Sequence, residues 1–235
     1  MLQISKQRNL QLLSTYPTAN RYLSQCGFRF IGSQAQFAAP FPEQNIIRLK
    51  KFVGKPITIE EELVQWVEHS VIGFLPKMDR QLHKNIVENL WEIVHNGLVH
   101  GEGEHGVSSC GQAYPAKGYF ELAFYDVGNG IPKLVREFNP FSPAMKDAEC
   151  IDWAVQKGNS TRPRGEPSGL GLHLLRQFLS VNQGVFQIVS GNGYYGQHAN
   201  NQPTICTLKS SIKGTLVNIR IVFDNYLYQL KGDGS

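Results

Sequence analysis

The feature that most narrows the choice of fold is a helical stretch with two unlike sides, Asn85 to Gly101. Val87, Leu90, Trp91, Val94 and Leu98 recur at three- and four-residue spacing and form an apolar stripe. Asn85, Asn89, Glu92, Asn96 and His100 recur the same way on another side. Polar stripes on surface helices are ordinary, but this one is short of lysine and arginine and rich in Asn, Glu and His. Glu92 and Asn96 are four apart, so their side chains sit side by side. A carboxylate beside an amide oxygen suits a hydrated Mg²⁺ and a water to be activated. Taken alone, the stretch also fits a solvated face with a few amides.

The chain has 235 residues, 41% hydrophobic and 18% charged, enough for one sizeable core with room for a small appended lobe. No apolar run reaches the length of a membrane span and no signal-peptide pattern opens the chain, so no membrane is expected. Cys26, Cys110, Cys150 and Cys206 are scattered without a Cys-x-x-Cys pair, which argues against a disulfide framework or zinc site and predicts reduced thiols in a cytoplasmic setting. The net charge of +4 permits contact with nucleic acid without arguing for it.

Residues 1–75 read as an N-terminal helical or irregular segment that could supply a partner or dimer surface. Residues 1–30 look helical and broken near Pro17; Gln34 to Pro42 reads as irregular or an edge strand. Arg48, Lys50, Lys51 and Lys55 read as a solvated basic cluster. Ile59 to Leu75 has helical periodicity, with Thr58 as N-cap, Glu61 at the capping-box spacing and Pro76 as its stop. Residues 76–225 read as the main domain and 226–235 as a tail, disordered from Lys231 on. In the main domain the long helix spans Asp79 to Val99. Strands follow at Val107–Tyr114 and Tyr119–Tyr125 around a turn at Pro115–Gly118. Helices are predicted at Ser142–Gln156 and Leu170–Val181. The last strands are Val185–Ser190, Thr204–Leu208 and Thr215–Phe223, with a turn at Ser190-Gly-Asn-Gly193. This order predicts an α+β sandwich with a mostly antiparallel sheet, not alternating βαβ units.

Three further stretches carry chemistry. In Asp126-Val-Gly-Asn-Gly-Ile131, an acid ends a core-facing strand and is followed by Gly128 and Gly130. Such an acid can accept from an exocyclic amine, and the glycines let a flat ring approach the backbone; a plain strand-to-loop turn also fits. Gly158 to Leu172 is polar and glycine-rich, carries Arg162 and Arg164, and runs into a helix with Ser168 as its expected N-cap. Backbone N–H groups at a helix N-terminus suit an anion. It is not a Walker loop, since no Gly-Lys-Ser/Thr follows, and no βαβ unit surrounds it. Lys213-Gly-Thr215 opens the last strand, where Thr215 offers a hydroxyl.

In order and spacing these four stretches resemble the four signature boxes of the GHKL superfamily, the Bergerat-fold, histidine kinase-like ATPases. Glu92-x-x-x-Asn96 resembles the N box and Asp126-x-Gly128-x-Gly130 the first glycine box. Gly165 to Leu172, with Gly169-Leu-Gly171-Leu, resembles the second, and Gly214-Thr215 the closing pair. The resemblance spans residues 80 to about 223 and is nearest to stand-alone bacterial ATP-binding proteins. It implies a two-layer Bergerat sandwich with helices on one face of the sheet, binding ATP or ADP with Mg²⁺. It implies that Asn96 holds the Mg²⁺, that Glu92 is the general base, and that Asp126 reads the adenine amine with Gly128, Gly130, Ile131 and Thr215 beside it. Gly169, Leu170, Gly171 and Leu172 would face the phosphates, residues 156–168 would form an ATP lid bringing Thr161, Arg162 and Arg164 near them, and Asn89 and His100 would line the site.

No histidine here has the His-Glu/Asp pattern of a sensor kinase phosphoacceptor: His69 precedes Ser70, His83 precedes Lys84 and His105 precedes Gly106. The chain also lacks room for the transducer domain of gyrase-type members. What the resemblance leaves is ATP binding with slow hydrolysis, serine/threonine phosphotransfer like that of anti-sigma-factor kinases, or an ATP-gated switch read by a protein partner or in a homodimer.

Overall fold

Along Tyr119–Asp126 every second residue is apolar, and in the computed structural model those residues define the inner face of the sheet. The structure describes residues 45–100, 105–138, 144–156, 158–159, 171–199 and 201–230, with backbone alone at 171–173. In chain order the elements are β1 (Ile46–Phe52), α1 (Pro56–Trp66), α2 (Arg80–His100), β2 (Val107–Tyr114), β3 (Tyr119–Asp126), α3 (Ile131–Phe138), α4 (Asp147–Ala154), α5 (Gly171–Val181), β4 (Val185–His198) and β5 (Thr204–Val222). The five strands form one open antiparallel sheet in the order β1-β2-β3-β5-β4. The fold is α+β, as the element order predicts.

Register puts Phe120, Leu122 and Phe124 opposite Ile221, Ile219 and Val217, and Ile219 and Val217 opposite Phe186 and Ile188. All are buried and join one core with Leu90 and Val94 of α2 and Leu175, Phe178 and Leu179 of α5. The alternate residues carry a different chemistry: Arg220 pairs with Glu121 at 2.7 Å and lies over the Tyr119 ring, and Asn218 donates to Gln187. A side-chain period of two thus separates an apolar face from a polar one.

The start of α2 is fixed by Asp79, which accepts from the Leu82 N–H at 2.7 Å as an N-cap. The stretch set apart as a tail reaches back here. Tyr228 is buried, bridges to Met78, and the Leu230 N–H donates to Asp79. Lys231 to Ser235 lie outside the described residues, as do residues 1–44.

Four expectations need correction. Residues 46–52 are a strand, with Ile47 and Phe52 in the core and Lys50 paired with Glu62, not a solvated basic cluster in a helical or irregular segment. The first helix begins at Pro56, not Ile59; a proline there needs no N–H partner, Thr58 Oγ1 donates to the Lys55 carbonyl, and the helix ends through a π turn and a 3₁₀ turn. A helix not foreseen, α3, follows the first glycine stretch. Ser190 to Gly193 is no turn. Strand β4 runs through it to His198 with shifted register, and β5 is one strand from Thr204 to Val222.

Candidate functional site

Six separate stretches of sequence meet at one pocket between the helices and the inner face of the sheet. Glu92, Asn96, Gly97 and His100 of α2 line one side, Gly130, Ile131, Leu134 and Val135 another, and Trp153 and Val155 a third. Phe124, Ile188 and Val217 contribute sheet side chains, with Asp126 and Thr215 at the polar end.

Asp126, at the end of β3, and Thr215, within β5, are direct ladder partners, so they lie on the same face. The Gly128 N–H donates to Asp126 Oδ1 at 2.8 Å. Burial nonetheless dominates: desolvation pushes the carboxyl from the ordinary 3.8 up to about 6, against the opposing pull of the Gly128 and Thr215 backbone N–H groups. A carboxylate held this way is a strong acceptor for a donor brought into the pocket.

Close backbone approach makes this end of the pocket. Gly214 has φ +85°, and a Cβ there would stand 2.1 Å from the Asp126 carbonyl oxygen. Gly130 has φ +76°, and its Cβ would meet Ser190 Oγ at 2.8 Å. Both positions therefore require glycine. Gly97 brings α2 against the sheet: a Cβ there would lie 2.5 Å from Val107 Cγ2 and 3.2 Å from Asp126 Cβ. The far end of α2 is tied to the glycine loop, since the Asn129 N–H donates to the His100 carbonyl at 3.3 Å.

Of the residues singled out from sequence, Glu92, Asn96, His100, Asp126, Gly130, Ile131 and Thr215 line this pocket. Gly128 contributes its N–H to Asp126 rather than a wall. Asn89 goes elsewhere. It is buried two turns from Asn96, donates to the Asn85 carbonyl, and lines a second cavity between α2 and α5 with Leu82 and Phe178. Its side-chain oxygen has no hydrogen-bond partner among the described residues. Gly171 and Leu172 form the first turn of α5. Thr161, Arg162, Arg164, Ser168, Gly169 and Leu170 lie outside the described residues, so of the expected lid only Gln156, Gly158 and Asn159 are described. Asn159 lines the pocket and donates to the Trp153 carbonyl at 2.8 Å.

Sequence reasoning passed over two residues. Ser190 is fully buried and touches three parts of the site: it accepts from the Ile131 N–H at 2.9 Å, donates to the Gly214 carbonyl at 2.8 Å, and lies 3.2 Å from Thr215 Oγ1. Reading it as a turn residue hid this. Gly97 carried a signal in being the one glycine inside a long helix, where glycine costs about 1 kcal/mol relative to alanine.

Among the described residues no three His, Cys, Asp or Glu side chains converge as a metal cage. No helix among them is long and apolar enough to cross a membrane. No protein-family model matches this chain, and no curated protein matches its sequence.

Proposed function

We propose that this chain is an Mg²⁺-dependent ATP-binding protein of the GHKL superfamily, with a two-layer Bergerat-type sandwich and a slow ATP hydrolysis activity. The observation that carries the reading is the shared pocket: Asp126, desolvated at one end, lies with Gly130 in the same cleft as Glu92, Asn96 and Thr215, so that three stretches far apart in sequence meet there.

The residues fit the group. Asp126 spends one oxygen on the Gly128 N–H, which leaves the carboxylate able to accept from an exocyclic amine. Phe124, Ile188 and Val217 give a flat heterocycle an apolar wall, and Gly130 adds a stretch of bare backbone to the lining. Asn96, one turn from Glu92 on α2, would hold the Mg²⁺ through its side-chain oxygen. When bound, the ion neutralises phosphate charge. Glu92 then takes the proton of the attacking water.

Calorimetry tests the reading. ATP with Mg²⁺ is expected to bind at micromolar or weaker affinity and GTP poorly, because guanine presents a carbonyl where adenine presents its amine. Asp126→Asn should weaken ATP binding at least tenfold, about 1.4 kcal/mol. Equal binding by the variant would sink the assignment.

A further inference from the structure

The proton on one hydroxyl in the pocket can be placed by elimination. Ser190 has one proton and two lone pairs, and its side chain is sealed from solvent. The Gly214 carbonyl, 2.8 Å away, can only accept, so it takes the Ser190 proton. The Ile131 N–H, 2.9 Å away, can only donate, so it fills one lone pair. Thr215 Oγ1, at 3.2 Å, faces the lone pair that remains, and in that contact Thr215 must be the donor. Turning the Ser190 proton toward Thr215 would take it from the buried Gly214 carbonyl, and the lost hydrogen bond would cost about 1 kcal/mol.

We propose that Ser190 is a positioning residue that holds Thr215 as an acceptor, so that the polar end of the pocket selects a ligand edge bearing N–H donors over one bearing a carbonyl. With its only proton committed to Ser190, Thr215 meets the pocket with lone pairs alone. Asp126, its ladder partner, is an acceptor too when ionised. Two acceptors side by side suit an amino group and repel an oxo group. A Thr215 hydroxyl free to rotate would serve either. The inference rests on the adenine-nucleotide reading and adds the residue that sharpens its base selectivity, a buried serine at the middle of β4.

Two measurements decide it. Neutron diffraction from ligand-free crystals grown in D₂O is expected to place the Thr215 deuteron between Thr215 Oγ1 and Ser190 Oγ. A deuteron aimed into the pocket overturns the proposal, whether or not any nucleotide binds. Calorimetry then compares ATP with inosine triphosphate, which carries an oxo group in place of the amine. In Ser190→Ala the freed Thr215 can donate to that oxo group, so the preference for ATP should shrink about tenfold. Adding Thr215→Val should cancel the shrinkage. A merely structural Ser190 would weaken both nucleotides alike, and an unchanged ratio therefore overturns the proposal. If the parent binds neither nucleotide, the ATP reading falls, while the deuteron still decides the role of Ser190.

Discussion

Asp126 shows how one carboxyl serves a site at the expense of the fold. Its folded-state value of about 6 lies above the ordinary 3.8, so the folded protein holds this proton more tightly than the unfolded chain does. Between those values the folded state binds more protons, and the Asp126 contribution to stability falls as pH rises. The loss is complete above about pH 6. A gap of about two pH units bounds it at about 3 kcal/mol, less where solvent reaches the mouth of the pocket. Urea unfolding of the parent and Asp126→Asn should therefore show a stability difference that moves in the variant's favour from pH 4 to pH 6.5. A difference flat across that window would show that burial does not perturb this carboxyl. Ligand binding should run the other way: the ionised form accepts from an amine, so affinity for an adenine nucleotide should drop as pH falls through about 6. Opposite signs at one residue are expected where a buried charge is kept for function.

At the scale of elements, the site depends on how closely α2 approaches the sheet, and Gly97 sets that distance. Alanine is the better helix former by about 1 kcal/mol, yet its Cβ would stand 2.5 Å from Val107 Cγ2. Gly97→Ala is thus expected to destabilise by about 1–3 kcal/mol through overpacking. Val107→Ala removes the atom that is hit, so the double variant should be more stable than the sum of the single losses allows, by at least about 0.5 kcal/mol in a double-mutant cycle. Strict additivity would mean that α2 simply shifts. The same close approaches explain which elements were legible in the sequence. Strands β2 and β3 and helix α2 were, because alternation and the apolar stripe are periodic signals that tertiary contacts reinforce. The long β4–β5 hairpin was not. Gly191 and Gly193 look like turn residues, but they are small because α4 presses on them: Cβ atoms there would meet Asp147 Oδ2 at 2.1 Å and the Ala148 N at 2.6 Å. Pro132 hid α3 in a similar way, since proline reads as a breaker yet is harmless in a first helical turn. Strand β1 was masked by its charge: Arg48 and Lys51 are exposed, and Lys50 pairs with Glu62 of α1. The pocket residues of α2, β3 and β5 were legible because their chemistry is unusual for their periodicity. Ser190 was not, because nothing local marks a serine whose partners are 59, 24 and 25 residues away.

For the whole molecule the proposed function divides into two, nucleotide consumed or nucleotide only sensed, and Glu92 separates them. The pocket adjoins the core shared by the helices and the sheet, so a ligand that binds only the folded state should raise the unfolding temperature of the domain as a unit. At a hundred times its dissociation constant the gain is about 2.7 kcal/mol. Glu92 lines the pocket on α2 one turn from Asn96, and in the proposed reading it is the Asp126–Thr215 pair, not Glu92, that meets the base. Removing it should spare most ground-state binding and damage the chemical step. Glu92→Ala is thus expected to keep the ATP-induced thermal shift, with affinity within about tenfold of the parent. Its release of γ-phosphate should fall by about 10²–10⁴-fold, the usual contribution of a general base. Asn96→Ala should instead lose the Mg²⁺-dependent part of the thermal shift. Phosphate release is measured alone and with candidate protein partners, since transfer to a serine or threonine would use the same carboxylate. A parent that shows the full thermal shift but no turnover under any of these conditions is a nucleotide-gated switch. A Glu92→Ala variant that turns over at the parental rate reduces Glu92 to one more polar residue on the solvated side of a helix.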